Sequence, residues 1–441
     1  MKLRYIANAC FLITLADGKT ILTDPWFTGP CQQTWWNFPP VPEALKAEVW
    51  ALKPDLIYIS HLHHDHLHPR TLAPFDKAIP VLIGKMNTPN LRNGVAACGF
   101  KQIHEIPFET RAPLPGLACE GVLFADFHGN TLGDESAVEY DLDTSLYLFD
   151  ADGATLFLAV DNTILPPDAA RIAAEHGAPD IAQIPYASAS LYPMAMAAYS
   201  DAKKAEARDA LRLRTSGNFR ELARALGAKK VIPAGGEYVL GGPAAPLSAF
   251  LPQPLESQLR DQLASIGLGE TLAKLYPGDA LDGATLAVTE DARATHRGFT
   301  DADRAAFAMT LTGEAPSFTE LNIPDGESFP WARAFKACAS NYAARREKMD
   351  LALPIDVYFQ AEGAPTFRIA LDSREAGFAD PSAAPRQHLI YSLDARLLIC
   401  LMTGILSWNA MEASALIAIT REPDVYTHDI HRSIVHFNLL G

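Results

Sequence analysis

The sequence predicts an α/β layered fold, and three observations carry that expectation. Short apolar runs of strand character alternate with helical stretches through the first half of the chain. A tight-turn signal, Asp17-Gly18, sits between two such runs. A histidine-rich segment follows directly on the apolar run Asp55-Leu-Ile-Tyr-Ile-Ser60, which puts polar chemistry at the C-terminal edge of a buried strand. Strands that alternate with helices pack as sheets covered by helices.

Each element has a local reason. Phe11-Leu-Ile-Thr-Leu15 and Thr20-Ile-Leu-Thr23 flank Asp17-Gly18 as a hairpin. Pro80-Val-Leu-Ile-Gly84 reads as a short strand after the histidine segment. Thr144–Phe149 and Thr155–Val160 form a second hairpin around Asp150-Ala-Asp-Gly153. Asp180–Pro185 and Lys229–Pro233 are later strands. A charged helix runs between them from Asp201 to Leu226, and Gly227 closes it. The texture changes after residue 240, where Gly241-Gly-Pro-Ala-Ala-Pro marks a boundary. With 441 residues, more than one core is expected. The expected organisation is a first domain over 1–245, a helical connector over 246–300 and an appended C-terminal α+β domain over 301–441. The last has strands at Ile355–Gln360 and Thr366–Leu371, then helices from about Asp394 to Arg421.

Composition narrows the partners. Apolar residues make up 49% and charged residues 20%, as in ordinary globular proteins. The net charge of −15 argues against nucleic acid as a partner, because phosphate binding needs clustered Lys and Arg. The six Cys are scattered without a CxxC pair, which points to a reducing compartment. The opening segment, with its short polar-interrupted apolar stretch, does not read as a signal peptide. Leu397–Leu406 is shorter than the roughly twenty apolar residues a bilayer span needs. The expectation is a cytoplasmic protein with no membrane partner and a small-molecule substrate.

The segment Ser60-His61-Leu-His63-His64-Asp65-His66-Leu-His68 carries the chemistry. In an extended backbone residues two apart point the same way, so His61 and His63 can converge on one metal. If the chain then turns into a helix, Asp65 and His66 swing towards a neighbouring point. Imidazole and carboxylate ligands suit zinc or iron. His64 and His68 face away and are expected in solvent or behind the ligands. Trp35, Trp36, Tyr192 and Tyr238 are candidates to line a pocket, and His428, His431 and His436 read as surface or packing residues.

HxHxDH after a hydrophobic strand resembles the metallo-β-lactamase superfamily, which implies a four-layer αββα fold and makes residues 1–245 the catalytic domain. Ile21-Leu-Thr-Asp24-Pro25-Trp26 is similar to that superfamily's Asp-Pro pair beside the metals, so Asp24 is expected to orient a ligand. A narrower resemblance is to the catalytic part of the CMP-N-acetylneuraminate hydroxylase family. It rests on Asp24-Pro-Trp-Phe-Thr-Gly-Pro30, Trp35-Trp36, Asp55 to His66, Ser188-Ala-Ser-Leu-Tyr192-Pro193-Met194 and Val231-Ile-Pro-Ala-Gly-Gly236. Leu406-Ser-Trp408-Asn and Arg421-Glu-Pro-Asp424-Val-Tyr426 resemble that family's closing helices.

Two departures matter. The paired Cys-x-His and Cys-x-x-His elements of that family's Rieske iron–sulfur domain do not occur in this sequence. Redox chemistry would then draw electrons from a separate electron-transfer protein. The family's third His ligand, counted back from Asp143-Thr144, falls on Glu139, and His128 is the alternative. A Glu ligand fits iron better, whereas His128 keeps the three-His set of zinc hydrolases. The resemblance makes Asp161, at the end of the strand Leu156–Val160, the bridging carboxylate. It also places Glu237 where the superfamily has its last His.

The expected metal ligands are therefore His61, His63, Asp65, His66, Asp161 and one or both of Glu139 and His128, holding two metal ions. Iron is favoured and zinc is the alternative. The expected activity is that of a metal-dependent oxygenase, a non-haem di-iron enzyme acting on a small polar substrate. The alternative is a zinc hydrolase of a phosphoester, lactone or amide, with Asp65 accepting a proton or positioning the nucleophile.

Overall fold

Side-chain alternation builds the layers. In Thr144–Phe149, Leu146 and Leu148 face one core while Tyr147 and Phe149 face another. The computed structural model describes residues 1–126, 143–324, 326–379, 381 and 387–440.

In chain order the strands of the first half are β1 (Lys2–Ala7), β2 (Cys10–Thr14), β3 (Thr20–Thr23), β4 (Trp35–Asn37), β5 (Leu56–Tyr58), β6 (Val81–Gly84) and β7 (Ile103–Ile106). They continue as β8 (Ala112–Pro113), β9 (Glu120–Ala125), β10 (Thr144–Phe149), β11 (Thr155–Leu158), β12 (Ile181–Ile184), β13 (Lys230–Pro233), β14 (Tyr238–Leu240), β15 (Ala280–Asp282) and β16 (Val288–Thr289). An eight-stranded sheet has the order β16-β15-β1-β2-β3-β5-β6-β7, and a six-stranded sheet the order β13-β12-β11-β10-β9-β8. The stretch 246–300, expected as a helical connector, holds the helix Glu256–Ala264 and also returns β15 and β16 to the first sheet.

Three apolar layers hold the two sheets and their helices. Leu3, Phe11, Ile13, Ile21 and Tyr58 meet Leu123, Leu146, Leu156 and Ile181 between the sheets. The helices Pro166–His176, Asp201–Leu226 and Glu256–Ala264 cover the outer face of the second sheet through Ile172, Phe219 and Leu259. The helices Glu43–Ala51 and Asn90–Ala97 cover the first through Leu45, Val49, Leu91 and Val95. This is the αββα arrangement. The long helix begins at Ser200, whose side chain accepts from Lys203 N, and ends at left-handed Gly227, as its sequence predicts.

The C-terminal part is a separate α+β layer. Its strands are β17 (Asp356–Ala361), β18 (Phe367–Ala370), β19 (Ala376–Phe378), β20 (His388–Leu393) and β21 (Ala418–Glu422), ordered β19-β18-β17-β20-β21. The expected run of helices from Asp394 to Arg421 is corrected here. Helices cover Ala395–Thr403 and Trp408–Ala413, and the chain then becomes strand β21. Ile417, Ile419 and Thr420 are β-branched and stiff, and β20 and the backbone of Ala195 and Ala197 offer them hydrogen-bond partners. Thr34 and Trp35 donate to the carbonyls of Ser414 and Ala413, tying this layer to the sandwich. Among the described residues no helix is long and apolar enough to cross a membrane.

Candidate metal centre

Parallel strands deliver the polar residues to one rim. β3 and β5 run parallel, and β11, β12 and β13 do so in the opposite sheet. Beyond β3 the chain turns sharply at Asp24, whose φ is +37°. Its carboxylate accepts from Ser60 N at 2.8 Å and lies 3.3 Å from His66 Nδ1. Asp24 thus stands behind His66, where the sequence expects a carboxylate that orients a ligand.

The histidine segment leaves β5 and makes a tight turn in which His66 N and Leu67 N both donate to His63 O. His61 Nε2 stands 2.8 Å from His63 Nδ1, so the two rings converge as their spacing predicts. His66 Nε2 lies 3.2 Å from both Asp65 Oδ2 and Asp161 Oδ2. Asp161 follows β11, where the Gln183 side chain accepts from Val160 N at 2.7 Å and fixes the turn. Two groups of donor atoms result: His61, His66 and Asp161, and His61, His63 and Asp143, with the atoms of each group within 4.8 Å of one another.

Asp143 was not singled out by sequence. Its only signal there is its place just before the strand opened by Thr144. That threonine donates to Ser60 O at 2.7 Å and accepts from Tyr58 OH at 2.8 Å, which holds Asp143 beside the histidine turn. Asn8 was also missed. It bridges two loops, donating to Asp65 Oδ2 at 3.4 Å and accepting from Gly236 N at 2.7 Å.

The expected ligands are not all equivalent. Asp65 is buried and touches His66 and Asn8, but it belongs to neither donor group. Glu139 and His128 lie outside the described residues. Glu237 is held by Lys274 Nζ at 2.9 Å, both side chains being almost fully buried, and it stays out of both groups. His68, expected in solvent or behind the ligands, is buried as the cap of the helix Pro69–Leu72 and contacts Thr71. Trp35 and Tyr238 are buried and stacked at 3.7 Å, forming wall rather than open pocket. His431 pairs with Glu412 at 3.0 Å in the C-terminal layer.

Electrostatics favour a cation at the rim. Burial, with His66 and His63 as neighbours, holds His61 well below the ordinary histidine range. Burial opposes a charge on His66 as well, but Asp65, Asp161 and Asp24 outweigh it and raise His66 well above that range. Carboxylates that keep a buried imidazole protonated will stabilise a metal cation in the proton's place. The donor set of imidazoles and carboxylates therefore fits a metal ion.

The model of the β-lactamase superfamily domain matches residues 2–188. The resemblance read from HxHxDH is thereby borne out, and the four-layer sandwich is the fold it implied. A Mycobacterium tuberculosis protein named as a Rieske 2Fe-2S iron-sulfur protein is 28% identical over 242 residues, 54% of this chain and 44% of the relative. The mouse cytidine monophosphate-N-acetylneuraminic acid hydroxylase is 33% identical over 113 residues, 24% of this chain and 19% of the hydroxylase. The chain thus spans less than half the length of either. Among solved structures, an isothiocyanate hydrolase from Delia radicum gut bacteria aligns over 64% of this chain and 99% of its own, at 16% identity and a TM-score of 0.44. CmlA, a diiron beta-hydroxylase from Streptomyces venezuelae, aligns over 64% of this chain and 53% of its own, at 19% identity and a TM-score of 0.41.

Proposed function

We propose that the protein is a binuclear metalloenzyme, a non-haem di-iron oxygenase acting on a small polar substrate. The observation that carries this reading is the gathering of five donors, His61, His63, His66, Asp143 and Asp161, at one rim. Asp143 and Asp161 make the set rich in oxygen, which suits iron. The hydroxylase relative supports the reaction class. When bound, iron would supply dioxygen activation, with the electrons coming from a separate donor. Asp161 would bridge the two ions, with Glu139, His128 or both completing the coordination.

The chain's own residues then do three jobs. Asp24 orients His66, Ser60 Oγ holds His61 Nδ1 at 2.9 Å, and the polar rim receives the substrate. Asp65, which accepts from the Asn8 side chain, would accept a proton. In net terms one oxygen atom enters a C–H bond and the other leaves as water, consuming an electron pair and two protons from outside. The name of the mycobacterial relative supports a separate iron–sulfur protein as electron donor. Residues 1–245 would form the catalytic domain, 246–300 a connector that also returns β15 and β16 to its first sheet, and 301–441 the appended C-terminal domain.

The test is elemental analysis and Mössbauer spectroscopy of protein produced with iron, paired with oxygen uptake under a chemical reductant. A spin-coupled ferric pair and reductant-dependent oxygen consumption are expected. Protein that retains only zinc and cleaves phosphoesters, lactones or amides without oxygen would establish the second reading, hydrolysis. That reading is favoured by the three imidazoles of His61, His63 and His66, a donor type that also suits zinc.

A further inference from the structure

A second buried polar cluster adjoins the rim, and its charges do not balance. Arg304, on the helix Asp301–Thr310, is 1% exposed. Its Nη1 donates to Asp301 Oδ1 at 3.2 Å and to Gln253 O at 3.4 Å. Its Nε and Nη2 are buried without any hydrogen-bond partner among the described residues. Those two nitrogens form one edge of the guanidinium, the edge that grips carboxylates elsewhere in this chain. Arg293 uses it on Asp291 at 2.9 and 2.6 Å, and Arg368 uses it on Asp356 at 2.8 and 3.3 Å. In Arg304 the same fork has no hydrogen-bond partner among the described residues, and the guanidinium carbon lies 5.1 Å from the centre of the Phe299 ring.

The nearby carboxylates are already committed. Asp301 gives both oxygens to Arg212 at 2.6 Å each. Glu237 is paired with Lys274. Arg208 and Asp209 pair with each other beside Arg212. Among these described residues Arg304 shares Asp301 with Arg212 and has no carboxylate of its own. Burial pushes Arg304 down to about 10, so it still carries its charge at neutral pH. Two further polar atoms in the same neighbourhood, Glu237 Oε2 and Tyr238 OH, are also buried without a partner. Tyr238 connects the two clusters: Asp65 and Asp161 act electrostatically on its phenol together with Arg304. The loop leading into it touches the rim, with Gly236 N on Asn8 and Gly235 against Asp161.

We propose that the free Nε–Nη2 fork of Arg304 seats an oxyanionic group of a ligand, a carboxylate or a phosphoryl group, beside the candidate metal centre. Bidentate pairing with a planar or tetrahedral oxyanion is what this edge recognises, and a buried setting strengthens it. The anion supplies the missing negative charge, and Tyr238 OH can donate a further hydrogen bond to it. The assignment of that anion to the substrate rests on the proposed metalloenzyme reading; the fork itself does not.

The test uses metal-free full-length chain, so its outcome is separate from the metal question. Binding of inorganic phosphate and of acetate is measured by isothermal titration, for wild type and for Arg304→Lys, which keeps the charge and removes the fork. Wild type should bind at least one of the two anions, and R304K should bind it about ten-fold more weakly or worse. Tighter phosphate binding identifies a phosphoryl group as the natural ligand, and tighter acetate binding identifies a carboxylate. Equal affinity in R304K, no binding of either anion by wild type, or binding that requires added metal overturns the proposal. Should R304K fail to fold, hydrogen exchange in wild type decides. Slower exchange across residues 301–310 on adding phosphate or acetate supports the fork, and unchanged exchange overturns it.

Discussion

The rim of the sandwich and the interior of the C-terminal layer are both buried, and they are built on opposite principles. Phe359 and Phe437 stack at 4.4 Å, and Phe335 and Phe367 at 4.1 Å, with Trp408 and Tyr391 packed around them. That core gains free energy from every apolar surface it hides. The rim instead buries His61, His66, Asp24 and Asp65, groups that cost free energy to desolvate and repay it only in part through one another. A chain retains such a cluster where it binds something. The difference teaches which part of the molecule is tuned for stability and which for chemistry.

The contrast can be broken most strongly from the apolar side. Phe359→Ala should cost about 3–5 kcal/mol of unfolding free energy in a urea titration while leaving metal content per folded chain unchanged. Loss of metal in that variant would show that the two regions are not independent. Next in size is Asp301→Asn, which strips the bidentate partner from buried Arg212. Breaking a fully buried pair costs about 3–5 kcal/mol; Asp301 is 33% exposed, so about 2–3 kcal/mol is expected. The pH dependence has a definite sign. Burial opposes ionisation of Asp301, but Arg212 outweighs it and holds the carboxyl below its ordinary range. The pair therefore stabilises the fold above the ordinary carboxylate range and loses that contribution as pH falls through the lowered value. D301N should flatten this acid-side loss in a series of thermal melts.

Smaller effects sharpen the polar side. Asp24→Asn should weaken metal affinity about 10–100-fold in a competitive chelator titration, because His66 loses its orienting charge. An unchanged affinity would remove Asp24 from the site. Gly235→Ala is the mildest. Gly235 has φ +89°, and a Cβ there would stand 3.3 Å from Asp161 Oδ1. A cost of about 1–2 kcal/mol is expected for the backbone alone. Spectra of the bound metal should also shift as Asp161 is displaced.

Much of this was legible from local pattern. The Asp17-Gly18 hairpin, the helix Asp201–Leu226 with its Gly227 cap, and the convergence of His61 and His63 depend on neighbours a few residues apart. The misread stretch is instructive: Ile417-Ala-Ile-Thr420 carries a short apolar run that fits helix or strand, and pairing with β20 decides it. Asp143 and Asn8 escaped notice because neither has a motif. Asn8 joins the site through Asp65, 57 residues away, and Gly236, 228 residues away.

By itself the sequence determined the layered α/β class, the superfamily domain and the histidine turn with Asp161, since each is written in periodicity or in a compact motif. Only the tertiary structure decided that Asp143 stands with the histidines, that Glu237 belongs to Lys274, and that Arg304 has an open fork. The physical reason is that charge pairing acts through space. Which carboxylate meets which cation depends on loops that close over hundreds of residues, and no local pattern records that choice.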